Sequence, residues 1–237
     1  MISVDRVTKR YGKIMANNDI TLKVNDGEML VLLGPNGAGK STIIKSICGL
    51  LRFEGSIMID VYDNRMSEAK HLLGYIPEIP ALYPMLTVKE HLEFVARAYR
   101  LEEWQAWADG LLERFELDDK TDKLGKELSK GMQQKLSICC ALLPKPRNVV
   151  FDEPLVGLDP HAIRELKKLI LELKNDGCAV IISTHMIESV EDDWDTTCIM
   201  KKGEIATVCH RKELQQGEYL EDLYFSITEV DASEVSA

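Results

Sequence analysis

Apolar residues along the chain fall into short unbroken runs and longer periodic stripes. Met29 to Leu33, Val149 to Phe151 and Ala179 to Ile182 are runs of strand length, the pattern of strands covered on both faces. Ile2 to Val7 and Ile20 to Val24 alternate instead, and Asn25-Asp26-Gly27 supplies a turn into the strand Met29 to Leu33, so the chain is predicted to open with short antiparallel strands. Ile43, Ile44, Ile47 and Leu50 then keep helical spacing and predict a helix over Ser41 to Gly49, followed by strands Ser56 to Ile59 and Leu72 to Ile76.

From Thr87 the period becomes helical. Val88, Leu92, Val95 and Tyr99 form one stripe, Leu101 to Phe115 continues it, and Thr87 with Glu90 makes a capping box. Trp104 and Trp107, three residues apart, read as helix packing. Ser129 stands at the cap of a further helical run through Leu136, Cys139, Cys140 and Leu143. The α/β alternation returns with strand Asn148 to Phe151, helix Pro160 to Lys174 and strand Cys178 to Ser183; Asp159 caps that helix and Pro160 takes its first turn. Glu229 to Ala237 is acidic, rich in small residues and expected to fray.

Composition narrows the class. The chain has 237 residues, of which 45% are hydrophobic, enough for a substantial core, and no apolar stretch approaches the ~20 residues that span a bilayer. Met1 to Arg6 alternates like a strand and lacks the basic-then-apolar shape of a signal peptide, so a cytoplasmic location is expected. The six cysteines show no C-x-x-C spacing and read as reduced packing residues. A net charge of −10 without a dense basic stripe disfavours nucleic acid as partner, because neutralising phosphates needs clustered Lys and Arg. Lys23, Lys201 and Lys202 read as a solvated face.

Three segments carry chemistry. Gly34-Pro35-Asn36-Gly37-Ala38-Gly39-Lys40-Ser41-Thr42 fits G-x-x-x-x-G-K-[ST] directly after a buried strand. Its glycines let successive backbone N–H groups turn inward on phosphates, the following helix adds its positive end, Lys40 adds a full charge, and the Ser41 hydroxyl is placed to ligate Mg²⁺. Asp152 and Glu153 end an apolar strand, where open α/β sheets bind ligands. Beside a phosphate loop, Asp152 suits holding the ion and Glu153 suits polarising the attacking water. Ser129 and Gly131 combine a hydroxyl, an unblocked backbone and a helix N-terminus, which suits a second anion site. One chain cannot easily wrap both anion sites around one nucleotide, so two chains in antiparallel are expected, each closing the other's ATP.

Gly34 to Thr42, Leu128 to Met132, Asn148 to Glu153, Gly157-Leu158-Asp159 and His185 resemble, in identity and order, the nucleotide-binding domain of ABC-type ATPases over roughly Ile2 to Lys212. The resemblance implies a P-loop NTPase fold with a RecA-like, mostly parallel core over 1–86 and 144–212, an N-terminal antiparallel β portion, and a helical insertion over 87–143. A single domain over 1–228 is thereby expected, with 213–237 forming a C-terminal helix and tail. It further implies ATP and Mg²⁺ as cofactors, Tyr11 as the aromatic that stacks on adenine, Asp159 as a contact to the partner chain, and His185 as the histidine that orders the water at the γ-phosphate.

Three departures stand out. Lys130 and Met132 replace a glycine and the glutamine of the usual L-S-G-G-Q signature, while Ser129 and Gly131 survive. Glu78 stands where the family most often has Gln, still offering an oxygen to Mg²⁺ and water. The Ile-Pro-Glu version at that loop, the segment Leu82 to Val88, the Ser-Lys-Gly-Met signature and Leu220 to Tyr224 are similar to bacterial exporter ATPases whose permeases are separate chains. The resemblance therefore implies a cassette paired with an identical or paralogous one beneath a membrane permease docked on the loop Ile79 to Leu86. The cassette would then be peripheral on the inner face of the cell membrane. Rival readings are an ABC-type ATPase of a soluble assembly, in cofactor assembly or translation, and a nucleotide sensor without turnover.

Overall fold

The computed structural model describes residues 1–187, 194–213 and 220–228. In chain order it runs β1 (Ile2–Tyr11), β2 (Ile14–Val24), β3 (Met29–Leu33), α1 (Lys40–Ile47), β4 (Glu54–Ile59), β5 (Tyr62–Asp63), α2 (Ser67–His71), β6 (Leu73–Ile76), α3 (Val88–Tyr99), α4 (Gln105–Arg114) and α5 (Lys130–Leu142). It continues with β7 (Asn148–Asp152), α6 (Pro160–Asn175), β8 (Ala179–Thr184), β9 (Thr196–Lys201), β10 (Glu204–His210) and α7 (Leu220–Thr228).

Two sheets result. The first is antiparallel in the order β2-β1-β4-β5; the second, in the order β10-β9-β3-β8-β7-β6, is parallel except for its edge hairpin β9–β10. β3 lies at its centre, paired with β8 from Met29↔Val180 to Leu33↔Thr184 and with β9 from Leu30↔Thr196 to Leu33↔Ile199.

The period of two along β3 decides how the layers assemble. Met29, Val31 and Leu33 join one core with residues of α3, α4, α5 and α6, whereas Leu30 and Leu32 join a second core with α1 and the first sheet. β7 divides the same way, Val149 and Phe151 to the first core and Val150 to the second. Each fully buried Leu, Ile or Phe on these faces contributes ~1.5–3 kcal/mol, which is why strands apolar at every position end up in the middle.

The expected elements are found, with several differences. β2 starts at Ile14 rather than Ile20, α1 spans Lys40–Ile47 rather than Ser41 to Gly49, and α4 starts only at Gln105. β5, α2, β9 and β10 were not foreseen. Helices α3 to α5 fall between β6 and β7, and the capping box closes as expected, Glu90 N donating to Thr87 Oγ1 at 3.1 Å and Thr87 N to Glu90 Oε2 at 2.7 Å. Trp107 Nε1 donates to the Leu142 carbonyl at 3.2 Å and Trp104 packs on the same core, both packing roles. The six cysteines are free, and burial pushes the Cys140 and Cys198 thiols up to about 12, leaving them neutral packing groups. Lys201 corrects the solvated-face reading, since its ammonium donates to the Ile227 carbonyl at 2.6 Å and ties α7 to the end of β9. Residues 214–219 and 229–237, including the tail expected to fray, lie outside the described residues.

Candidate active site

The loop from Gly34 to Gly39 joins the carboxyl end of β3 to α1. Two of its glycines are required by geometry. A Cβ at Gly39 would stand 2.5 Å from the Ala16 carbonyl oxygen and 2.6 Å from Asn17 Nδ2, at a φ of +103° that side chains disfavour. One at Gly34 would stand 2.4 Å from the Met200 carbonyl oxygen. The buried Asn17 of β2 donates from Nδ2 to the Gly39 carbonyl at 3.1 Å, so the antiparallel sheet braces the loop directly.

Lys40 is buried at the first position of α1. Its ammonium donates to the carbonyls of Gly34 at 2.6 Å and Pro35 at 3.3 Å, and lies 3.5 Å from Glu153 Oε1. The same carboxylate oxygen lies 3.0 Å from Nδ1 of His185. Glu153 is only 7% exposed and has a φ of 48°, a left-handed conformation that is uncommon for a bulky side chain and recurs at functional sites.

Beside it, Asp152 Oδ1 accepts from Ser41 Oγ at 3.1 Å and from Ser183 Oγ at 2.7 Å. Ser183 Oγ in turn accepts from Glu153 N at 3.1 Å, so one hydroxyl from β8 orients both acidic residues. A serine hydroxyl next to a buried carboxylate is a hard-oxygen set of the kind Mg²⁺ takes alongside phosphate oxygens, and these two residues fit that ion. Lys40, Ser41, Asp152, Glu153 and His185, expected from scattered sequence positions, are thus brought together.

The other expected residues lie outside this cluster. Tyr11, 47% exposed at the end of β1, has the Lys9 ammonium 4.9 Å above its ring centroid. Glu78 is exposed and joins no hydrogen bond or ion pair among the described residues; the contact at its loop is Gln134 Nε2 to the Pro77 carbonyl at 3.2 Å. Ser129, exposed, caps α5 by accepting from Met132 N at 3.3 Å, and no hydrogen bond among the described residues joins it or Gly131 to the phosphate loop.

Asp159, expected as a contact to a partner chain, is engaged within its own. It accepts from Ala162 N at 2.9 Å and pairs with the Lys135 ammonium at 2.8 Å. That ammonium, followed by the Ala162 amide, holds its carboxyl at about 2. Sequence reasoning missed Asn17, Gln134, Lys135 and Ser183, each an ordinary polar residue whose partner is distant in the chain. His91 is buried and its Nε2 accepts from Tyr83 N at 3.0 Å, with its Nδ1 2.7 Å from the Thr87 carbonyl.

This arrangement of phosphate loop, paired carboxylates and histidine on a parallel sheet defines a P-loop nucleotide hydrolase, and comparison with known proteins narrows it. A family profile described as ABC transporter matches residues 17–156. The chain is 34% identical over 242 residues to the ABC-type transporter ATP-binding protein EcsA of Bacillus subtilis, covering 98% of both. It is 31% identical over 232 residues to the lipopolysaccharide export system ATP-binding protein LptB of Haemophilus influenzae, covering 94% of this chain and 96% of that protein. Among solved structures, an ATP-binding subunit of an ABC transporter superposes with a TM-score of 0.90 at 34% identity, covering 96% and 99%. A cassette solved as a dimer bound to ADP and Pi after hydrolysis superposes with a TM-score of 0.78 at 27% identity, covering 90% and 100%. The chain belongs to the ABC transporter family, as an ATP-binding, ATP-hydrolysing cassette.

Proposed function

We propose that this cassette powers a membrane exporter whose permease is a separate chain, and that two cassettes close around ATP in each cycle. The observation that carries the reading is the convergence of Lys40 and His185 on one buried carboxylate oxygen of Glu153, beside the Ser41–Asp152 pair. Bound Mg²⁺ would neutralise developing phosphate charge, and Ser41 and Asp152 would hold it. Lys40 binds the nucleotide's phosphates, for which an ammonium is a better partner than loop carbonyls. Glu153 orients the attacking water and accepts its proton, and His185, whose Nδ1 lies 3.0 Å from that carboxylate, orders the water at the γ-phosphate.

Ser129 is exposed, and no hydrogen bond among the described residues joins it or Gly131 to their own chain's phosphate loop. That favours a partner's ATP as their ligand, and a related cassette solved as a dimer supports the same reading. The export direction is favoured by the LptB likeness, and the exposed apolar side chains Ile79, Tyr83 and Met85 suit docking of a permease segment. No helix among the described residues is long and apolar enough to cross a membrane. With the permease as its partner, the cassette would lie at the cytoplasmic face of the membrane. Tyr11 remains the proposed adenine contact, and Glu78 a proposed oxygen at the water and ion.

The test compares two variants with the wild type by ATP binding and phosphate release. Lys40→Ala is expected to lose binding, while Glu153→Gln binds ATP and loses turnover by about a hundredfold or more. Equal turnover in wild type and Glu153→Gln removes Glu153 from the chemistry.

A further inference from the structure

The phosphate loop is held from behind by groups that lie outside its motif. Asn17 of β2, fully buried, donates from Nδ2 to the Gly39 carbonyl at 3.1 Å. Gly203, in the turn between β9 and β10, donates from its N to the Ala38 carbonyl at 3.0 Å. The two braces are themselves joined, since Asn18 N donates to the Gly203 carbonyl at 2.8 Å and Asn18 Nδ2 to Glu204 Oε1 at 2.7 Å. The packing is close. A Cβ on Gly39 would stand 3.4 Å from Gly203 Cα, and one on Gly203 would stand 3.0 Å from the Ala16 carbonyl oxygen.

Peptide planarity carries these contacts through to the other side of the loop. In a trans peptide the C=O and the N–H of the next residue point in opposite directions. Donors that hold the Ala38 and Gly39 carbonyls therefore aim the N–H groups of Gly39 and Lys40 away from the brace, where an anion at the start of α1 would sit. Neither N–H has an acceptor among the described residues. The Gly39 carbonyl also accepts from Ile43 N at 3.0 Å, the first bond of α1, so the helix holds it from one direction and Asn17 from another.

Stability does not account for the asparagine. Its Oδ1 is buried with no hydrogen-bond partner among the described residues, an unmatched polar atom that is unfavourable in the interior. Leucine has the same branched outline and no such atom.

We propose that Asn17 is a positioning residue for nucleotide binding, whose amide fixes the Gly39–Lys40 peptide so that its N–H faces the phosphates. The inference rests on the reading of Gly34 to Thr42 as the phosphate site. Because the N–H meets phosphate and not the base, Asn17 should matter equally for ATP and for inorganic tripolyphosphate.

The test uses the full chain with Mg²⁺ and follows ATP and tripolyphosphate binding by calorimetry, urea unfolding by circular dichroism, and backbone amide resonances by NMR. Asn17→Leu should raise both dissociation constants about tenfold while its urea midpoint stays at or above that of the wild type. The Gly39 and Lys40 amide protons, expected to move downfield when the wild type binds tripolyphosphate, should move less in the variant. Asn17→Asp, which keeps the shape and loses the donor, should weaken both ligands as much and serves if the leucine variant does not fold. Binding within about twofold of the wild type by either folded variant overturns the proposal. So does a loss confined to ATP, or a leucine variant whose weaker binding comes with a lowered midpoint. Lys40→Ala separates the two levels: where it binds tripolyphosphate as the wild type does, the phosphate-site reading fails, and where it loses binding only the role of Asn17 is at stake.

Discussion

Replacing Asp159 separates two tasks performed by one carboxylate. Oδ1 accepts from Ala162 N at 2.9 Å and caps α6, while Oδ2 meets the buried Lys135 ammonium at 2.8 Å. Its carboxyl is held at about 2 against an ordinary 3.8, first by Lys135 and then by the Ala162 amide. That difference corresponds to ~2.4 kcal/mol. The side chain is 48% exposed, however, so solvent screening reduces the contribution to ~1 kcal/mol. Losing the cap adds ~1 kcal/mol. Asp159→Ala should thus destabilise the chain by about 2 kcal/mol and Asp159→Asn, which retains a cap acceptor, by about 1 kcal/mol. Because the folded-state value is depressed, the stabilisation is fully present above the unfolded value of 3.8 and is lost as pH falls through about 2. Urea unfolding followed by circular dichroism should give midpoints in the order wild type, Asp159→Asn, Asp159→Ala, with the wild-type gap to Asp159→Asn constant from about pH 5 to 8. Coincident midpoints for the two variants, or a gap that changes within that range, would refute the reasoning.

Two further predictions follow from local geometry. Gly39→Ala should abolish ATP binding, because its Cβ meets the Ala16 carbonyl at 2.5 Å. Gly37→Ala, with nothing within 4 Å and only a φ of +81° to accommodate, should lose ~1 kcal/mol and keep measurable binding, and calorimetric titration of both checks the contrast. Tyr83 and Met85 are 53% and 66% exposed, so changing both to Asp should leave the isolated chain soluble and active while impairing its recovery with membranes that carry the permease. Undiminished recovery excludes that loop as the docking surface.

The framework was legible wherever burial imposes a period. β3 is apolar throughout, β7 and β8 contain the apolar runs Val149 to Phe151 and Ala179 to Ile182, and α3 and α6 carry one apolar stripe each, so local pattern and final environment agree. β9 and β10 escaped because Thr196 and Thr197 are buried polar residues and β10 alternates weakly at a sheet edge; Lys202-Gly203, with φ of 51° and 85°, was the turn that could have revealed the hairpin. The first half of β2 was hidden because its buried residue is Asn17, spent on the Gly39 carbonyl rather than on an apolar core. At the site, Lys40, Ser41, Asp152 and Glu153 sit in motifs whose spacing itself dictates phosphate and ion chemistry. Ser183, Gln134 and Lys135 do not, since a serine on a strand or a Lys on a helix acquires meaning only when the fold brings Asp152, Pro77 or Asp159 against it.

The claim on which the rest depends is that two chains complete each other's ATP site through Ser129 and Gly131, with Glu153 performing the hydrolysis. Light scattering of Glu153→Gln, titrated with ATP and Mg²⁺, addresses both parts, because blocking hydrolysis traps whatever closed state the nucleotide drives. The expected result is a monomer that doubles in mass with ATP and remains monomeric with ADP. The same protein carrying Ser129→Arg, whose side chain would fill the second anion site, is predicted to stay a monomer. A Glu153→Gln chain that binds ATP yet remains monomeric at every concentration, alone and with any paralogous cassette, would contradict it.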